Sequence, residues 1–396
     1  MTTATTLNDT ASPAATAPGA GPVLARVGAG RDFDLGHALR WAAKARNISM
    51  LRLALDIARW QMGRQKITAK DYFHFGLHLA KYSKADRATF VGHVAATRLN
   101  WAMADLAVAA LWRDKIATAQ VLLAGGLPTP PIRAVFDPLG RPGPYLVLTS
   151  TADLAEYIGN GASLPFFGKP VDGSEGRGAI SLVARDGAQR VILGDGRVVD
   201  VALLAQEIAA TYPRGYMFQD KLRQHPDLAA LAGPVMCSLR ILSIWVGGKF
   251  TPLYANMRLP SPGAMTDVTC TSSAAIDLAE GRILRTQDGR RLGGHSLPQS
   301  LVTGAGLIGA QLPDWGRVME LSQAAHALFP SQGVMGIDIA LTEAGPTIVE
   351  LNPNPQHGGH HQTNDLGLLT PAFRKVFAAA LAERGITRRK RGMLVP

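Results

Sequence analysis

Two stretches of the chain hold residues whose types and spacing suit phosphate and metal chemistry. The first is VMGIDIALTEAGPTIVELNPNP, residues 334 to 355. Val334 to Leu341 is apolar apart from Asp338, Ala344-Gly345-Pro346 is a turn signal, and Thr347 to Leu351 runs on through Glu350 to Asn352. Side chains alternate across a strand, so Glu350 and Asn352 share a face. If the two strands pair antiparallel, Asp338 lies opposite them. Three oxygen donors on one sheet face suit a hard cation, Mg²⁺ or Mn²⁺, which completes its shell with water and phosphate oxygens. Taken alone, the same stretch reads equally as a solvated hairpin with strand-end acids.

The second stretch is FFGKPVDGSEGRGAISLV, residues 166 to 183. An apolar strand carries Lys169, a turn follows with Gly173, Ser174, Gly176 and Gly178, and a second apolar strand starts at Ala179. Glycines so spaced let the backbone take positive φ and bring its N–H groups close to an anion. A plain hairpin turn also explains the glycines. Finding KPxxGSxGxG upstream of D…ExN in one chain is much rarer than either motif alone.

On these motifs the chain resembles the ATP-grasp proteins, and within them the sugar-transfer-associated and glutamate-ligase-related branch, over about residues 70 to 370. The resemblance implies an α+β fold of two lobes that enclose ATP, preceded here by a helical N-terminal domain where many relatives have a Rossmann-like one. It implies that Lys115, in RDKIATAQVLLAGGLPTPP, reaches ATP phosphate, as do Lys169 and the glycine loop. In YMFQDKLRQHPDLAALAG it implies a hinge at Gln219, Asp220 and Leu222 that meets adenine and ribose, with Asp220 where Glu is commoner. Lys169 and Arg240 are the implied catalytic cations, with Asp338, Glu350 and Asn352 on the metal. Arg258, Asp267 and His357 border the implied substrate pocket. An arginine among the apolar neighbours of Arg240 needs an anionic partner, either Asp338 as a structural pair or the γ-phosphate that the family implies. The implied activity is an ATP-dependent carboxylate–amine ligase that forms ADP and an acyl phosphate, acting on small-molecule or peptide carboxylates and amines. A phosphotransferase acting on a hydroxyl and a non-catalytic nucleotide-binding module are the alternatives.

The elements that must position these residues follow from periodicity. Residues 31 to 112 read as a helical domain, with Thr68 and Asp71 as a capping box and one long helical run from Trp101 to Leu123. The ATP-grasp part is expected over 113–372, its small lobe over about 130–216 and its large lobe over about 217–372. The small lobe should include a helix near Val201 to Thr211 and a turn at Asp195-Gly196. VMCSLRILSIWVGGKFTPLYANMRLPSP reads as two long strands around Gly247-Gly248, residues 268–313 as a turn-rich β-ribbon, and Asp314 to Leu328 as a helix behind the metal-bearing strands. His225 reads as a loop histidine in a cap or as a catalytic one. His357, His360 and His361 suggest a zinc cluster, a substrate contact or a mobile loop, and the glycines between them interrupt helical spacing.

Composition limits the classes. At 396 residues, 47% hydrophobic and 18% charged, the chain reads as an ordinary globular protein of two or three domains. Two cysteines, Cys237 and Cys270, exclude a disulfide framework and fit a reduced, cytoplasmic setting. No apolar run reaches 18 residues, so no membrane span is expected. Residues 1–30 read as a flexible tail without a signal peptide. The net charge of +11 is concentrated in the basic C-terminal helix and tail, where residues 373–396 hold seven basic side chains against one acidic. RRKR at 388–391 reads as a solvated tail or an arm for an anionic surface, and no nucleic-acid motif is present. The oligomeric state is not legible.

Overall fold

The computed structural model describes residues 23–24, 33–161, 163–173, 176–187, 189–264, 272–289 and 295–386. Ser174, Asp267, Cys270, RRKR at 388–391 and all of the expected N-terminal tail except Val23 and Leu24 lie outside the described residues.

Two seven-stranded sheets dominate. The strands of the first are β1 Ile132–Phe136, β2 Leu146–Leu148, β3 Phe166–Pro170, β4 Ile180–Arg185, β5 Arg190–Leu193, β6 Val198–Asp200 and β7 Tyr216–Asp220, in the order β2-β1-β7-β3-β4-β5-β6. Those of the second are β8 Ser238–Val246, β9 Lys249–Leu259, β10 Ser272–Ile276, β11 Ile283–Asp288, β12 His295–Ser296, β13 Val334–Thr342 and β14 Gly345–Asn352, in the order β12-β11-β10-β9-β8-β13-β14. All pairings are antiparallel except β1 with β2.

Local chemistry accounts for most of these elements. Gly247 and Gly248 both take positive φ (60° and 68°), the conformation that a tight two-residue hairpin requires between β8 and β9. Every residue of β13 is buried, as its near-continuous apolar run demands. Met335, Ile337, Ile339 and Leu341 pack with Trp315 and Val318 of the helix Trp315–Ala327, while Val334 faces the opposite side with Leu242 and Ile244. That helix lies behind the acid-bearing strands, as expected. Thr68 and Asp71 form a reciprocal capping box at 3.1 Å each way.

Several boundaries differ from the sequence reading. The run from Trp101 to Leu123 is not one helix: it breaks into His93–Met103, Leu106–Arg113 and Lys115–Ala124. Asp105 and Asp114 cause the breaks, because each carboxylate accepts from the next backbone N–H groups and so starts a new helix. The helical domain also ends earlier than 112. One core gathers residues from Ala38 to Phe90, whereas Val91, Leu99 and Met103 share a core with Leu242, Tyr254 and Val334 of the second sheet. The helix Pro371–Glu383 joins that same core through Phe377 and Leu381 and is not a separate appendage. β7 belongs to the small-lobe sheet, so the crossing between lobes begins at Lys221 rather than 217. The expected β-ribbon is the outer part of the second sheet. Val23 and Leu24, within the expected tail, donate their N–H groups to Glu207 at 2.5 and 3.0 Å, and Leu24 is buried in the small-lobe core.

The helical domain is tied to the rest of the chain at Gly367, where Leu369 N–H donates to the Thr89 carbonyl at 2.8 Å. A Cβ at Gly367 would sit 2.1 Å from the Thr89 carbonyl carbon and 2.4 Å from the Phe90 nitrogen. Gly367→Ala is therefore expected to destabilise the protein by about 1–3 kcal/mol through backbone displacement, read as a fall in Tm in a thermal melt. An unchanged Tm would mean that the two backbones are not held at this distance.

Candidate active site

The site forms where the two sheets face each other, and register places its residues. Asp338 on β13 lies directly across from Glu350 on β14 and from Arg240 on β8. Gly336 sits across from Asn352; a Cβ there would come 2.8 Å from Pro355 Cβ and 3.4 Å from Asn352 Cβ. Gly336, which sequence reasoning passed over, thus leaves space for the turn that carries the asparagine.

Asp338 is buried, and both of its oxygens are engaged. Arg240 Nε and Nη2 each donate to one of its oxygens at 2.6 Å, and Asn352 Nδ2 donates to Oδ2 at 3.1 Å. Burial pulls the Arg240 pKa down, but the Asp338 charge and hydrogen bonds outweigh that, and it ends above the usual arginine value. Of the two partners that the sequence left open for Arg240, the carboxylate is the one seen. A carboxylate has about four lone-pair positions, so the fork on Asp338 leaves acceptor capacity free.

Lys115 and Lys169 supply the other cations. Lys115 opens the helix Lys115–Ala124, whose N-cap is Asp114. Its backbone N–H donates to the Val171 carbonyl at 3.1 Å, its Nζ donates to the Gly173 carbonyl, and Nζ lies 3.4 Å from Glu350 Oε1. Lys169 on β3 points into the same cleft. Burial lowers its pKa to about 8; Glu350 opposes that fall, Lys115 adds to it, and Asp338 opposes it. The cleft is lined by Trp112, Lys115, Lys169, Met217, Gln219 and Glu350 among others. In the glycine loop, Gly176 and Gly178 take positive φ (66° and 72°), whereas Gly173 does not and is instead packed against Pro170.

The hinge is braced by side-chain contacts. The buried Gln219 donates its side-chain amide to the Pro130 carbonyl at 3.1 Å. Asp220 N–H donates to Pro131 O at 3.0 Å, and its carboxylate pairs with Arg133, a residue that sequence reasoning missed. Leu222 is half-buried on the crossing segment. That segment is stitched to the end of β13 by a bridge between Gln224 and Thr342 and by His225 N–H to Leu341 O at 2.9 Å. His225 caps the helix Pro226–Ala232 by accepting from Asp227 N–H at 3.2 Å, the structural alternative of its two readings.

The histidines after Asn352 are a correction. Glycines notwithstanding, Gly358–Asn364 is helical. His357 is buried with both ring nitrogens engaged, Nδ1 with Tyr254 Oη at 2.8 Å and Nε2 with Asn100 Oδ1 at 3.1 Å. Asn100 spends its amide protons on Asn354 Oδ1 and Pro355 O, so its oxygen must accept from His357 Nε2–H. His361 Nδ1 and Nε2 lie 3.2 and 3.1 Å from Leu366 O and Val91 O, a neutral ring donating to one of the two, and His360 stacks on Tyr254 at 4.2 Å. Among the described residues no three of His, Cys, Asp and Glu are grouped to hold a metal, so the zinc reading falls. His357 is a buried wall of the site rather than a side chain open to substrate. Arg258 is exposed on β9, across from Ser273 of β10 and two residues beyond Asn256, the cross-strand partner of Arg240.

A profile of the family described as sugar-transfer associated ATP-grasp matches residues 96–376. The chain belongs to that family. No curated protein sequence matches it. Among solved structures it is similar to an L-amino acid ligase from Bacillus licheniformis (16% identity, 63% of this chain and 42% of that one, TM-score 0.33). It is also similar to the VanG D-Ala:D-Ser ligase of Enterococcus faecalis (12%, 70% and 62%, 0.40) and a D-alanine–D-alanine ligase of Bacillus anthracis (12%, 69% and 69%, 0.38). The chain thus spans less than half of the first of these. At such values the likenesses stay with those proteins, and the family match is what places this chain. The match starts inside the helix His93–Met103, shortly after Phe90, the last residue of the helical-domain core.

Lys169 gives a sign-definite prediction. Its folded pKa, about 8, lies below the ordinary lysine value of 10.5, so its charge destabilises the fold below pH 8 and the penalty fades as pH rises towards 10.5. Lys169→Met is expected to raise Tm at pH 7 by roughly a few degrees. That advantage should shrink when the melts are repeated at pH 9 and 10. A gain independent of pH would show that the lysine is not desolvated.

Proposed function

We propose that the protein binds ATP with Mg²⁺ between its lobes and activates a carboxylate as an acyl phosphate for capture by an amine, releasing ADP and phosphate. One observation carries this reading: Asp338, Glu350 and Asn352 converge on one sheet face, within reach of Lys115, Lys169 and Arg240. Two carboxylates and an amide oxygen are the donor set of a hard cation, so these residues fit magnesium. When bound, the ion would neutralise phosphate charge.

The side chains have separable tasks. Lys115 and Lys169 bring positive charge to the phosphates from the small lobe, and the Gly176 and Gly178 backbone allows N–H groups to approach the same anions. Lys115, on Glu350 and the Gly173 carbonyl here, exchanges these oxygens for phosphate ones. Arg240 shares its fork between Asp338 and the oxygens on which charge accumulates as the carboxylate attacks. Gln219, Asp220 and Leu222 border the base and ribose. Arg258 is assigned to the acceptor end, as is Asp267, outside the described residues, on the family resemblance alone. The chemistry needs no protein nucleophile; it depends on positioning and charge neutralisation.

Glu350→Gln and Asn352→Ala are expected to lower Mg-dependent ATP turnover by on the order of a hundredfold or more, with Tm close to wild type. Wild-type turnover in either variant would remove the metal assignment. Incubation of the protein with Mg-ATP and a pool of amino acids, peptides and sugar acids, read by mass spectrometry, should give ADP and a condensed amide. A phosphorylated hydroxyl product would instead make the protein a phosphotransferase.

A further inference from the structure

The helix Met50–Met62 has two apolar faces. At 100° per residue, Leu53 and Ile57 point inward and are buried in the helical-domain core. On the opposite side Leu51, Leu55 and Met62 form a stripe that is 70%, 62% and 75% exposed. Isolated exposed leucines are ordinary, but a stripe of large apolar side chains along a whole helix marks a contact surface.

The charges beside the stripe indicate what it meets. Arg52 and Arg59, two turns apart, are exposed along one flank of it. Residues 33–66 hold seven basic side chains against two acidic ones. Of those acids, Asp56 is turned towards Tyr72 and Arg87, which donate to it at 2.6 and 3.1 Å. Arg40 and Lys44 on the preceding helix, Leu35–Arg46, are exposed one turn apart. None of Arg40, Lys44, Arg52 and Arg59 makes an ion pair among the described residues. Apolar side chains on one face with arginines at their margin are the composition of a helix that lies in the plane of an anionic lipid interface. A nucleic acid would require aromatic or hydrogen-bonding groups where the leucines stand.

We infer that this helix docks the protein on a membrane surface rich in anionic phospholipid, with Leu51, Leu55 and Met62 entering the headgroup boundary and Arg52 and Arg59 binding lipid phosphates. No described helix is long and apolar enough to cross a membrane, so the contact is peripheral. The surface is remote in sequence from every residue of the ATP cleft.

The test is co-sedimentation of the full chain with vesicles of phosphatidylglycerol and phosphatidylcholine, against phosphatidylcholine alone. The expected result is binding to the anionic vesicles at least tenfold tighter than to the neutral ones, falling with added salt. Leu51→Ser/Leu55→Ser/Met62→Ser should weaken it at least tenfold, and Arg52→Gln/Arg59→Gln should abolish the preference for anionic lipid, both with unchanged melting curves. These controls separate the helix from the basic C-terminal residues, which neither variant touches. Absence of binding, or binding that both variants retain in full, overturns the inference. Dimerisation in light scattering that the triple variant abolishes, without vesicle binding, also overturns it and assigns the face to a second copy of the chain.

Discussion

The arrangement of the cleft depends on one cross-strand triplet, Arg240, Asp338 and Glu350, set side by side by the register of β8, β13 and β14. Because side chains on a strand alternate, a slip of one residue on β13 would turn Asp338 into the core behind and bring an isoleucine forward. The register is pinned from that core side, where Met335, Ile337, Ile339 and Leu341 must meet the helix Trp315–Ala327. The packing of one face thus determines the chemistry of the other.

Charge in the cleft does not balance. Three cations, Lys115, Lys169 and Arg240, face two carboxylates; Lys115 and Arg240 take these as partners, and Lys169, whose pKa burial lowers, makes no ion pair among the described residues. A desolvated, uncompensated cation is costly to a fold at rest. It is useful where a polyanion is to be drawn in, since charge already in place needs no reorganisation when the anion arrives. The Arg240 fork on Asp338 serves the same end: it holds the guanidinium aligned in the absence of phosphate.

What was legible in the sequence was what local chemistry determines. The glycine pair between β8 and β9, the Thr68 capping box, the hairpin of β13 and β14 and the capping role open to His225 all follow from a few neighbouring residues. The missed features depend on partners distant in the chain. Arg133 gave no sign that it would meet Asp220, 87 residues on. Nothing near Asn100 marked it as the partner of His357, or Val91 as that of His361. The break at Asp114 was visible as an acid before a helical run, but apolar periodicity continued across it and masked the cap. The histidine segment was misread for the opposite reason, because glycine propensity was weighed without the tertiary contacts that make it helical.

Those contacts explain how a helical segment stands where other folds place a second α/β domain. The turn after Asn352 is held by Asn100 through Asn354 and Pro355, and His357 passes that hold on to Tyr254, on the same sheet face as Arg240. Farther on, His361 sits against Phe75 and Phe90 at 4.5 and 5.2 Å, and Asp365 takes Lys81 and Tyr82 from the helical domain and Arg285 from the sheet. Burial drives the His357 and His361 pKa values down to about 3 and about 4, so both rings remain neutral hydrogen-bonding struts at ordinary pH. The wall beside β13 and β14 is therefore shared between both parts of the chain. A change in the helical domain can reach the cleft through this wall without touching Lys115, Lys169 or Arg240.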